Sequence, residues 1–337
     1  MDIENMKKSY FDIVIIGANI SGMLMALRLE EKDSKMKCAV FESETILQKL
    51  ENADKIPFYI NTPVDIPNIN WDSENIITEI WDNNCFGSKP NEMQKNIYAK
   101  KITSRYCKTT LDNIVYKKKI FVPTNNKIEG RQKILLSSIY NNLKNTNITF
   151  NRKIISISME KQEIVDSTGL TIKYKYLIST IPLPQLINIL NIKMDYNLPC
   201  IVKPFYISVI NVNFEKKYHV IYCVDKKVRI NRIAYLGKKI YIESPEKFSS
   251  DSLNKTEKMF IQQIINKFGL LDIELSFNLE QAIYPRFVEN EVEDTNKFIR
   301  FMEANNIFLL GRYANWKFML TENVWNKTKE ILEYMEE

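Results

Sequence analysis

The stretch Tyr10-Phe11-Asp12-Ile13-Val14-Ile15-Ile16, which runs straight into Gly17, constrains this chain more than any other feature. Consecutive apolar, β-branched residues leave a strand no solvent face, and strands buried on both faces belong to parallel sheets covered by helices. Gly17-Ala18-Asn19-Ile20-Ser21-Gly22 follows. Met23, Leu24, Ala26, Leu27 and Leu29 then recur at helical spacing to about Glu31. Lys37-Cys38-Ala39-Val40-Phe41 is a second short strand, and it stops on Glu42.

Strand, glycine turn, helix, strand and acid form the order that a dinucleotide site needs. Gly17 lets the chain turn off the strand, and Gly22 lets the helix pack closely on the sheet. The helix N-terminus, with its N–H groups and positive dipole end, is expected to face a pyrophosphate, with Ser21 in the same loop. Glu42, twenty-five residues after Gly17, is expected to accept hydrogen bonds from the ribose hydroxyls. The pattern departs at its middle glycine, which is Asn19. Asparagine tolerates unusual backbone angles, but it adds bulk where the backbone approaches phosphate.

Composition narrows the class. The 337 residues are 45% hydrophobic, enough for one large domain or two interleaved ones. The charge balance, 47 basic against 41 acidic residues, gives +6. This excess suits a phosphate-bearing small molecule and equally suits ordinary solubility. The densest basic runs, Tyr116-Lys117-Lys118-Lys119 and Lys226-Lys227-Val228-Arg229, are too short for a nucleic-acid arm. Cys38, Cys85, Cys107, Cys200 and Cys223 form no C-x-x-C, and the odd count points to free thiols in a reducing, cytoplasmic setting. Met1 to Ser9 is polar and does not read as a signal peptide. No apolar run approaches the roughly 18 residues of a membrane span. A single histidine, His219, with no cysteine at zinc spacing, leaves no metal site to expect.

Further along, residues 45–126 read as irregular structure with a few strands, such as Asn96 to Thr103. A helix is expected from about Glu129 to Leu143. Short strands follow at 148–150, 153–159, 163–166, 170–173 and 176–179, then a short helix to Leu190. Residues 200–243 are strand-rich. Helices are expected at 252–267 and 288–305, and strand 307–310 precedes Gly311 and a last helix from about Thr321 to Met335.

Four stretches carry a family likeness. They are the N-terminal unit, Ile148 to Ile157 (ITFNRKIISI), Tyr174 to Pro184 (YKYLISTIPLP), and Asn306 to Phe318 (NIFLLGRYANWKF). Together they resemble the FAD-dependent amine-oxidase and UDP-galactopyranose-mutase superfamily. Two middle blocks, His219 to Ile233 and Ile283-Tyr284-Pro285-Arg286, are similar to its mutase branch. The resemblance implies a Rossmann-like α/β FAD-binding domain built from 9–50, 127–190 and 300–337. This domain is interleaved with an α+β substrate domain from 51–126 and 191–299. It also implies non-covalent FAD, with Ile154 near the adenine and Gly311, Arg312 and Trp316 at the flavin end. Departures accompany the likeness: Ser43 to Asn52 holds no glycine, and Gly130 alone remains of the pair usual before the following helix.

A flavin does the redox chemistry, and the protein positions the substrate against it. The first functional reading is an oxidoreductase in which a small polar substrate gives hydride to the flavin N5, with Lys203 as the candidate lysine near N5. The second is a redox-neutral mutase acting on a nucleotide sugar. Its diphosphate would need cations, for which Arg229, Arg232, Arg286 and Arg312 are the candidates and Arg232 matches the mutase block best. The third is a degenerate flavin fold serving as a binding or scaffold module. Tyr59, Tyr284, Tyr313 and Trp316 are the aromatics considered for the flavin face, with Tyr284 and Trp316 preferred.

Overall fold

A computed structural model describes residues 9–32, 35–54, 60–67, 69–101, 116–124, 131–190, 202–245, 252–269, 280–287, 292–317 and 319–336. The elements run β1 (Ser9–Ile16), α1 (Ile20–Glu31), β2 (Cys38–Phe41), α2 (Ile46–Asp54), β3 (Asn70–Asp82), β4 (Cys85–Gly87) and α3 (Glu92–Lys101). Next come β5 (Lys117–Thr124), α4 (Arg131–Asn142), β6 (Asn147–Thr149), β7 (Ile154–Ser158), β8 (Glu163–Asp166), β9 (Thr171–Ser179) and α5 (Leu183–Leu190). The remainder is β10 (Val202–Cys223), β11 (Arg232–Ser244), α6 (Lys255–Phe268), β12 (Glu280–Phe287), α7 (Val292–Ala304), β13 (Ile307–Leu309) and α8 (Thr321–Glu336).

Two sheets organise these elements. The first has seven strands in the order β6-β2-β1-β9-β8-β7, with β13 also on β9. Strands β6, β2, β1, β9 and β13 are mutually parallel, while β8 runs antiparallel between β9 and β7. One edge of β9 pairs with β1 along its whole length. The other edge is shared, with β8 at Thr171–Lys173 and β13 at Leu177–Ser179. The second sheet has six strands in the order β11-β10-β3-β4, with β12 on β10 and β5 on β3.

The apolar run of β1 explains its central place. Ile13 and Ile15 point into one cluster, with Leu24 of α1, Leu135 of α4 and Leu332 of α8. Val14 and Ile16 point into another, with Leu183 and Leu186 of α5 and Phe298 of α7. Both faces of the sheet are therefore buried under helices, as a parallel sheet requires. Cys38 lies in the first cluster, where burial, then the Glu30 charge, pushes its thiol up to about 12. No helix among the described residues is long and apolar enough to cross a membrane.

The second sheet buries Trp81, Tyr235 and Ile242 against Phe260 and Ile264 of α6. Its opposite face carries Tyr218, Tyr222, Ile80 and Tyr241, with Tyr98 of α3. Helix α6 starts from a capping box in which Asn254 accepts from the Glu257 N–H and Glu257 returns the bond. The fully buried Glu257 carboxylate also takes the Arg229 guanidinium at 2.8 Å. Glu257→Ala removes both devices at once and is expected to destabilise the fold by about 3 kcal/mol, read as a lower urea midpoint at unchanged slope.

The middle of the chain corrects the sequence reading. Within the stretch expected to be irregular with a few strands, Asn70–Asp82 forms the thirteen-residue strand β3, and the strand expected at 96–103 is helix α3 through Lys101. The reason is an overlooked capping pair: Asn91 accepts from the Gln94 N–H, and Gln94 accepts from the Asn91 N–H. The two short runs at 170–173 and 176–179 are one continuous strand, β9, because β1 pairs across the join at Phe11 and Tyr174.

Candidate functional site

The site forms where β1, β2, β9 and β13 end, at the carboxyl edge of the parallel sheet. Gly17 leaves β1 at φ +102°, a left-handed conformation that favours glycine. Its N–H bonds to the Phe41 carbonyl at 2.8 Å and so ties the turn to the end of β2. Gly22 presses on the turn from above. A Cβ there would overlap the Gly17 carbonyl oxygen and sit 3.2 Å from the Ile15 side chain.

Thr180, just past β9, braces the same turn. Its hydroxyl is shared between the carbonyls of Ile16 (2.8 Å) and Gly17 (3.2 Å), and its N–H bonds to the Ile16 carbonyl at 3.0 Å. The C-terminal segment arrives beside it. Leu310 N–H donates to the Ser179 carbonyl at 2.9 Å, and Gly311 follows at φ +96°. A Cβ on Gly311 would overlap the Ser21 hydroxyl oxygen and lie 2.9 Å from the Ser21 Cβ. The two ends of the chain therefore meet backbone against side chain at the first turn of α1. Neither glycine tolerates a side chain here.

Asn19 is the N-cap of α1. Its Oδ1 accepts from the N–H of Ser21 at 3.0 Å and of Gly22 at 3.3 Å. Its Nδ2 donates to Thr180 Oγ1 at 2.9 Å and to the Thr180 carbonyl at 3.2 Å. First-turn N–H groups expected to face a ligand are thus held by the residue that replaces the middle glycine.

Glu42 is 3% exposed at the end of β2. It accepts from the Ala18 N–H at 2.8 Å and the Glu44 N–H at 3.1 Å, and pairs with the Lys49 ammonium at 2.9 Å. Burial raises its pKa. The Lys49 charge and hydrogen bond and the Glu44 and Ala18 N–H groups outweigh that, so the net shift is downward and the carboxylate stays ionised. Tyr140 of α4 donates to the Ala18 carbonyl at 2.9 Å, and burial, then the nearby Glu42 charge, raises its own pKa. Arg152 N–H donates to the Glu42 carbonyl at 2.7 Å, which holds the segment leading to Ile154 beside the acid. Ile154 itself is buried in the cluster that contains Phe41.

The structure brings together Gly17, Asn19, Ser21, Gly22, Glu42 and Gly311. Arg312 adjoins them through the Gly311 turn and reaches the Met319 carbonyl at 3.4 Å. Trp316 holds a left-handed φ of +49° and is buried in the second cluster, with Leu309 and Phe298. Arg232 stands apart on β11, paired to Glu243 with its guanidinium over the Tyr222 ring. The backbones of Lys203 and Tyr284 lie close on adjoining strands, since Lys203 pairs with Arg286 and Phe205 with Tyr284. The side chains of Lys203, Tyr284 and Arg286, and Tyr59 and Gly130 entirely, lie outside the described residues. His219 lies on β10 of the second sheet, its Nε2 2.5 Å from Glu79, which also takes Lys267 at 2.9 Å. Lys49, Tyr140 and Thr180 were missed as individual residues. Lys49 had no local signal, since it stands seven residues past Glu42 and only the start of α2 at Ile46 brings it back to the acid.

No protein-family model matches the chain, and no curated protein matches it in sequence. Solved structures match it along nearly its whole length. A reduced UDP-galactopyranose mutase has a TM-score of 0.57 and 13% identity over 96% of this chain and 95% of its own. The CLA-producing fatty acid isomerase from P. acnes gives 0.58 and 11% over 96% and 98%. Glycine oxidase from Bacillus cereus ATCC 14579 gives 0.54 and 12% over 97% and 95%. Their names, a mutase, an isomerase and an oxidase, differ in reaction. The chain shares the fold of these solved structures over nearly its whole length.

Proposed function

We propose that the protein is an FAD-dependent oxidoreductase that holds the cofactor non-covalently and acts on a small polar substrate. The observation that carries this reading is the meeting of Gly17, Glu42 and Gly311 at the carboxyl ends of parallel strands, where open α/β sheets bind ligands. The backbone fits the cofactor: Glu42 is ionised for the ribose hydroxyls, the first turn of α1 faces the pyrophosphate, and the Gly311–Ser21 contact supports the flavin end. The Asn19 carboxamide, which holds first-turn N–H groups, must yield to the pyrophosphate. Bound FAD supplies a hydride acceptor. The chain's residues bind it and orient it.

Two of the four arginines considered for a diphosphate are already held by carboxylates, which counts against the mutase reading. Arg229 is committed to Glu257 and to the Ser252 carbonyl, and Arg232 to Glu243. A diphosphate would have to compete with carboxylates that are already buried.

The test is the visible absorption of the purified protein, followed by identification of any chromophore released on heating. Released FAD supports the reading. A colourless protein that binds no added FAD sinks it in favour of the scaffold alternative. With FAD present, anaerobic bleaching by amines but not by nucleotide sugars separates the oxidoreductase from the mutase.

A further inference from the structure

We propose that Asn19 is a built-in competitor of the cofactor's pyrophosphate, so that this side chain, rather than the fold, sets how tightly the chain holds FAD. The inference rests on the FAD reading above. A phosphate oxygen approaching the first turn of α1 needs the N–H groups of Ser21 and Gly22. Asn19 Oδ1 already accepts from both, at 3.0 and 3.3 Å. The carboxamide cannot leave by a small rotation, because its other end donates to Thr180 Oγ1 and to the Thr180 carbonyl. Four hydrogen bonds therefore keep an uncharged oxygen at the place where a charged one would bind. The acid end of the same site is matched in the same way, with the Lys49 ammonium 2.9 Å from Glu42. The chain thus satisfies its own anion-binding and hydroxyl-binding groups, and a ligand must exchange for them.

Replacing an N-cap asparagine by glycine weakens a helix only slightly, because glycine is itself an accepted cap. Asn19→Gly therefore opens the two N–H groups while keeping α1. Asn19→Asp keeps the acceptor, and with it the cap, but sets a negative charge against phosphate. FAD, ADP and riboflavin are titrated into flavin-stripped protein, with binding read by calorimetry, so that no activity is needed. The expected result for Asn19→Gly is FAD and ADP affinity higher by about tenfold, the worth of one or two recovered hydrogen bonds. Riboflavin, which has no diphosphate, gains nothing. Asn19→Asp binds FAD and ADP more weakly than the natural chain. Unchanged or weaker FAD binding by Asn19→Gly, or undiminished binding by Asn19→Asp, overturns the inference and leaves the FAD reading standing. Absence of FAD binding by the natural chain and by Asn19→Gly overturns both. Binding by Asn19→Gly alone supports the inference and overturns the FAD reading for the natural chain.

Discussion

Gly22→Ala is expected to destabilise the protein by roughly 4 kcal/mol, lowering Tm by on the order of 10 °C. The added methyl would overlap the Gly17 carbonyl oxygen and crowd Ile15, and neither can move aside. Gly17 is tied to Phe41 and Thr180, and Ile15 is fully buried between strands. The only relief is to lift α1 off β1, which breaks the first hydrophobic cluster and pulls Ser21 away from Gly311. Cofactor retention should fall with stability. Gly87→Ala is the matched control, because a Cβ there meets nothing within 4 Å, and its stability should stay within about 0.5 kcal/mol of the parent. Equal melting of the two variants in a thermal scan would remove the close helix–turn packing from the account of this site.

Glu42→Gln is the second large effect, and its size should depend on pH. At pH 7 the variant strands the Lys49 ammonium and weakens the acceptor for the Ala18 N–H, at a cost of about 2 kcal/mol. The folded pKa of Glu42 is depressed, so its contribution is fully present above the unfolded value of about 4.3 and is lost as pH falls through the folded value. The stability gap between parent and variant should therefore be constant at neutral pH and close in acid, as pH falls through the depressed folded value and the parent's carboxyl also takes up a proton. A gap that persists undiminished into acid, measured by urea unfolding across that range, would show that the ion pair is not its source.

Much of the first sheet was legible because its signals are local. The β1 run, the helical spacing after Gly17 and the acid at Glu42 each lie within a few residues of the feature they predict. The expected helix at 252–267 falls one to three residues from α6, whose end is set by Gly269 at φ +62°. The second sheet was less legible. β3 carries Asp72, Glu74 and Glu79 along with its apolar residues, and its partners lie far off in sequence at β5 and β10. Helix α3 was hidden because its sequence EMQKNIYAKK has few apolar residues to mark a helical face, although the Asn91–Gln94 capping pair was readable. At the site, the substitution at Asn19 was visible, but its consequence was not. Only the folded chain brings Thr180 to anchor the far end of that carboxamide. The same holds for Ser21 and Gly311, 290 residues apart, whose contact no local pattern announces.

The shared edge of β9 also dictates when the molecule can assemble. β1 leaves the ribosome first, yet its neighbour β9 begins at Thr171, and the last strand of that sheet, β13, begins at Ile307. Until then β9 exposes Leu177 and Ile178 along an open edge, and the βαβ unit exposes the apolar face that α8 will cover. Contacts so distant along the chain make for slow folding and a prolonged opportunity for intermolecular strand pairing. Biogenesis of this protein should therefore depend on chaperone capture during synthesis. Yield in cells should respond more to growth temperature and translation speed than the stability of the finished fold would suggest.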